Sequence, residues 1–155
     1  VLAYVFWHRP RSNVEVSDYE ERLRSFHGAL DFPSGSFRLI QFPFGEGGGY
    51  EDWYLVDSWA ELGELNKRAV DTHHRSSHER VALGAADGWG GIYDLVRGMA
   101  EIPRGTEWLD KPQGELTQEF IATLPHPAVW RRQLVLGPGP EFCCAVAASN
   151  RRARI

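Results

Sequence analysis

Residues 130–142, WRRQLVLGPGPEF, place two arginines and a glutamine inside what otherwise reads as a buried strand. Successive side chains of a strand point to opposite faces, so Arg131 and Gln133 share one face, and Trp130, Arg132, Leu134 and Leu136 the other. Desolvating a guanidinium is costly unless it is paired or wet, so the strand is expected to border a polar pocket, a subunit contact or a buried carboxylate such as Glu141. The same stretch decides the fold, because it echoes an earlier one. VWRRQLVLG (129–137) before PEFCCAV (140–146) matches FRLIQFPFG (37–45) before YEDWYLV (50–56) in pattern, with a glycine-containing turn in each.

Working outward, LAYVFWHR (2–9) is rich in β-branched and aromatic residues and reads as a strand stopped by Pro10. Its alternation puts Leu2, Tyr4, Phe6 and His8 on one face. Ser17 with Glu20, and Ser58 with Glu61, have capping-box spacing and predict helices over 18–30 and from 59 on. Strands follow at 36–43, 50–57 and 91–98, and a third clear helix ends at Pro125. The glycine run at 45–49 joins two strands, which suits a hairpin tip better than a phosphate cradle. Residues 99–113 read as a long connection, the DGWGG run (87–91) as a helix break, and RRAR (151–154) as a solvated end.

The order is strand-helix-strand-strand twice, giving one domain with pseudo-repeat halves at about 1–57 and 91–147, joined by the helical segment 58–87. It predicts an α+β, ferredoxin-like fold: two β-α-β-β halves in an antiparallel sheet of about six strands, helices on one face. With right-handed crossovers the strand order is 2-3-1-4-6-5. The other face would be open and apolar, so a homodimer is expected.

This arrangement resembles the dimeric α/β-barrel superfamily, in which two ferredoxin-like sheets pack face to face. The segments VFWHRP (5–10), WLDKPQG (108–114) and WRRQLVLGPGPEF look like those of an uncharacterised bacterial group within it. The resemblance implies fold and pairing but no particular reaction.

A net charge of −4 over 155 residues argues against nucleic acid as a partner, since counterion release needs a concentrated basic surface. No apolar run is long enough to span a membrane. With only the adjacent pair Cys143 and Cys144, which no ordinary disulfide can join, a reducing cytoplasm is the expected compartment.

His8, at the end of a central strand, is the candidate general base, with Tyr54 or Glu141 as partner. The candidate ligand-binding set is Tyr54, Arg97, Arg131, Arg132, Gln133 and Glu141, the arginines orienting an anionic group or pairing internally with Asp94, Glu51, Asp52 or Glu141. His73, His74 and His78 form an alternative metal or haem set, but without a distinct third ligand no metal and no cofactor is expected. No hydrolase or nucleotide fingerprint is present. The expected function is binding, or cofactor-independent transformation, of a small aromatic or anionic molecule. The rival is a noncatalytic structural or regulatory oligomer.

Overall fold

The computed structural model describes residues 1–70 and 75–155, and among these it contains eight strands and four helices. In chain order they are β1 (Leu2–Pro10), α1 (Val16–Ala29), β2 (Ser34–Leu39), β3 (Gly49–Val56), α2 (Trp59–Val70), α3 (Arg75–Gly84), β4 (Ala85–Arg97), β5 (Gly105–Leu109), α4 (Thr117–Thr123), β6 (Val129–Leu136), β7 (Phe142–Val146) and β8 (Arg152–Arg154). All strands join one antiparallel sheet in the order β5-β7-β6-β4-β1-β3-β2-β8.

This corrects the six-stranded ferredoxin-like expectation. The sheet has eight strands and curls into a nearly closed barrel. Both extra strands come from segments read as irregular: β5 from the 99–113 connection and β8 from the arginine-rich tail. The strand order of the first four elements is the one expected, whereas the last two are exchanged. The eight-residue β6 lies along β4, and the shorter β7 is sandwiched between β6 and β5.

Curvature follows from what the inner face must bury. Trp7 on β1 meets Trp108 on β5 at 5.0 Å between ring centroids, Trp53 on β3 meets Trp130 on β6 at 5.8 Å, and Tyr93 on β4 meets Trp108 at 5.3 Å. Rings from strands far apart in sheet order touch only if the sheet wraps around them. The open apolar face that motivated the homodimer is therefore filled by the barrel's own aromatic core.

Two edges almost meet. Arg152 of β8 points inward, lies over the Phe37 ring, and donates to the carbonyl of Pro103 just before β5. Its guanidinium also pairs with the fully buried Glu51, with Nη2 2.9 Å and Nε 3.1 Å from Oε1. Glu51 accepts further bonds from the indoles of Trp7 (2.9 Å) and Trp53 (2.7 Å). A charge pair thus sits at the centre of the barrel with its lone pairs used by neighbours, the condition under which burial of charge is tolerated.

Two irregularities in the β4–β6 pairing break the simple alternation assumed for the strands. Between β4 and β6 the neighbours Ile92 and Tyr93 oppose Leu134 and Arg132, leaving Gln133 as the extra residue. Arg132 therefore shares Tyr93's inward side and Leu134 the outward side of Ile92. A second irregularity around Val96 sits beside Arg97. The Ser17–Glu20 pattern caps nothing, as α1 begins at Val16 without a side-chain cap. Ser58 does accept from the Glu61 amide at 3.2 Å and starts α2.

The DGWGG run is strand rather than helix break, and its glycines matter to the outer surface. A Cβ at Gly88 would lie 2.3 Å from Cζ of Phe6, and one at Gly90 2.9 Å from Cε2 of Tyr4. With hydrogen in those places, the β1 rings lean over β4. Helices α1, α2 and α3 cover this region, through Phe26, Leu30, Leu65 and Val81 packed on Leu2, Tyr54, Val56 and Ile92.

Candidate functional site

Between the outer face of β1, β3 and β4 and helices α1 to α3 lies a cavity of roughly 760 Å³. Its walls are mostly apolar: Phe6, Phe26, Leu62, Val81 and Ile92, with Trp59 at 54% exposure and Tyr4 near it. Its polar end is built around Asp52. Alternation along β3 sends Tyr50, Asp52 and Tyr54 outward while Glu51, Trp53 and Leu55 enter the barrel. On neighbouring β1 the same period sends His8 outward.

Asp52 is 3% exposed and touches three partners. Its Oδ2 lies 3.1 Å from His8 Nε2 and accepts from the Tyr54 hydroxyl at 3.2 Å, and its Oδ1 lies 3.5 Å from Nε2 of His27 on α1. His8 Nδ1 is 2.7 Å from the Tyr19 hydroxyl. Burial alone would raise the Asp52 carboxyl, but the His8 and His27 imidazoles outweigh it and hold it well below the usual carboxylate range. Facing an ionised Asp52, a neutral His8 carries its hydrogen on Nε2, which donates to Asp52, and leaves Nδ1 to accept from Tyr19. Stacking fixes the rings, with His8 between Phe6 and Tyr50 at 5.6 Å from each and His27 on Tyr54 at 5.1 Å.

All five tyrosines of the chain are affected by their surroundings. Burial first, then the Asp52 charge, pushes Tyr4 up to about 12; burial and the Glu20 carboxylate bring Tyr50 to about 12. Tyr19, Tyr54 and Tyr93 are also raised, mainly by burial. A folded pKa above the unfolded value of 10.0 means that this contribution to stability is intact below pH 10 and lost as pH rises towards 12. Tyrosinate absorbance is accordingly expected to appear only together with alkaline unfolding followed by circular dichroism. A phenol titrating near pH 10 in the folded protein would contradict this environment.

Of the residues singled out from sequence, His8 and Tyr54 meet at Asp52. The others lie elsewhere. Arg97 reaches the end of α4, donating to the carbonyls of Ile121 and His126 at 3.0 Å and to that of Leu124. Arg132 holds the β6–β7 turn through the Gly139 carbonyl, and its amide donates to Glu141 O at 2.8 Å. The Glu141 amide in turn donates to Asp110 Oδ1 at 2.8 Å. Arg131 is half-buried beside them in β6, and Gln133 is exposed. Each of these contacts supports a turn or helix end rather than the cavity.

His73 and His74 lie outside the described residues. His78, on α3, lines the cavity with its ring 5.9 Å from that of Phe26. Among the described residues no group of three or more His, Cys, Asp or Glu has the arrangement of a metal site. Both cysteines are free thiols pushed up by burial, Cys144 to about 11, which leaves them poor nucleophiles.

Sequence reasoning named Asp52 only as a possible partner for arginine and did not single out His27, Tyr19 or Asp87. The signal was present in YEDWYLV, where alternation groups Tyr50, Asp52 and Tyr54, but nothing in the sequence says which face helices cover. No helix among the described residues is long and apolar enough to cross a membrane. No family model matches the chain, and no curated protein or solved structure shows significant similarity to it, so the dimeric α/β-barrel resemblance carries no weight in the functional argument.

Proposed function

We propose that the protein binds a small, largely apolar aromatic molecule in the cavity beneath α1 to α3 and moves a proton on it without a cofactor. The supporting observation is the buried, ionised Asp52 clamped by two imidazoles at the end of a cavity with aromatic and aliphatic walls. Among the described lining residues there is no arginine or lysine, while Asp52 is present, as is Asp87, whose carboxylate pairs with Arg9 at 3.2 Å. This favours a neutral ligand with a hydroxyl or amino donor over the anionic alternative.

Asp52 held this acidic is a weak base, so its part is to orient His8 and stabilise its imidazolium form. His8 Nδ1 is the acceptor. Because the Tyr19 hydroxyl occupies that position, the ligand's proton passes to the Tyr19 oxygen as the Tyr19 proton passes to His8. The ligand X–H bond and the original Tyr19 O–H bond break, and a new Tyr19 O–H bond and the His8 N–H bond form. Raised by burial, Tyr19 remains a phenol between turnovers.

Trp59 provides the test, as the other five tryptophans belong to or pack against the barrel interior. Titrating a panel of phenols and aromatic amines is expected to change fluorescence saturably, and Trp59→Phe should remove most of that change. No saturable response across the panel, or a response unchanged in Trp59→Phe, would overturn the proposal.

A further inference from the structure

His27 faces Asp52 through Nε2 and also lines a second, smaller hollow of about 130 Å³ where α1 meets the β2–β8 edge. The hollow exists because β2 is small where β3 is large. In the β2–β3 register Ser34 lies opposite Tyr54, and Ser36 opposite Asp52, so serines occupy the outward positions beneath α1. Arg24 of α1 and Arg154 of β8 complete the polar lining.

Every ionisable side chain in this lining is basic, the rest of it being Ser34, Gly35, Ser36 and Ile155. Two buried polar atoms there also lack partners. Ser36 is 2% exposed with no hydrogen-bond partner on its buried Oγ, and His27, with its side chain 10% exposed, has none on Nδ1. Arg154 rests on Gly35, where a Cβ would be 3.3 Å from Nη2, and makes no ion pair among the described residues. Among the described residues Arg24 pairs with Glu21 alone, on the exposed side of α1, at 3.2 Å.

A buried polar atom without a partner is costly, and a phosphate group offers oxygens to the Ser36 hydroxyl and to both guanidiniums and, when singly protonated, a P–O–H donor to His27 Nδ1. The geometry points to a binding site for a small tetrahedral oxyanion, either inorganic phosphate or the phosphoryl group of a small phosphomonoester. The hollow holds one such group and is too small for a nucleotide. A cation would meet two guanidiniums, and an apolar group would leave Ser36 and His27 unpaired. This site is separate from the large cavity and does not depend on what that cavity binds.

Inorganic phosphate and glycerol phosphate are titrated into the protein at constant ionic strength, with chloride as the compensating anion, while melting temperature and amide NMR shifts are followed. A saturable rise in melting temperature is expected, with shifts concentrated at His27 and 34–36. Arg154→Ala and Ser36→Ala should each weaken phosphate binding by about tenfold, the order expected from losing one charge-assisted contact. Tighter binding of glycerol phosphate assigns the site to a phosphoryl group on a larger molecule, and tighter binding of phosphate assigns it to the free ion. The inference fails if neither anion saturates, if chloride reproduces the effect, or if both variants bind as the parent does. Ser36→Ala removes one oxygen from a site without a partner, so loss of fold does not obscure the result.

Discussion

Replacing Glu51 with alanine is expected to cost about 3–5 kcal/mol, because it strands the buried Arg152 guanidinium and two indole N–H groups inside the barrel. Globular proteins have roughly 5–15 kcal/mol of stability in all, so such a loss is a large part of the whole. Arg152→Ala should cost a similar amount by leaving Glu51 charged among tryptophans. The double variant Glu51→Leu with Arg152→Met should cost less than the sum of the single changes, since neither partner is then left unpaired. Denaturant unfolding followed by near-UV circular dichroism reads all three. Additive losses would show that the two residues do not act as a pair, and would remove the reason given for β8 closing the sheet.

The second large effect is at Asp52. Asp52→Ala deprives His8 and Tyr54 of their acceptor and His27 of its carboxylate neighbour, all under the helices, and is expected to cost about 3–5 kcal/mol at neutral pH. The pH dependence gives it a signature. A carboxyl whose folded pKa lies below its unfolded value of 3.8 contributes stability above that value and loses it as pH falls further. The gap between parent and variant should therefore be wide at pH 7 and narrow progressively below about pH 4. A gap unchanged down to pH 2.5 would mean that folding does not lower the Asp52 carboxyl below its unfolded value.

The alternation of LAYVFWHR and YEDWYLV made legible which side chains of β1 and of β3 share a face, but not the register between the strands, in which His8 lies opposite Tyr50 and Tyr54 opposite Tyr4. Tyr19, Leu23 and Phe26 recur at helical spacing and form the buried face of α1. What the sequence could not show was closure. Each half-strand pattern is equally compatible with an open sheet, and only the contact of Trp108 and Arg152 with residues far away in the chain reveals that the two edges approach each other. Both lie in segments whose proline, glycine and charge content disguised short strands.

The arginines misled for a related reason. A guanidinium in a strand needs acceptors, and sequence suggested carboxylates or a ligand. Arg97 and Arg132 instead use main-chain carbonyls at a helix end and a turn, groups that carry no sequence signature. The bulge at Gln133 added to this by rotating the strand half-way along, so that the residues assigned to one face lie on two. Asp52 was obscured by its composition alone, since one carboxylate among 21 acidic residues does not announce that helices will bury it.

In a crystal structure of the protein with the tightest-binding phenol or aromatic amine, the ring is expected between Tyr4, Phe6 and Trp59, with its hydroxyl or amino group within hydrogen-bonding distance of the Tyr19, His8 and Asp52 cluster. Ligand seated instead against Arg131, Arg132 and Glu141, or a cavity left empty beside a saturating ligand, would contradict the proposed function.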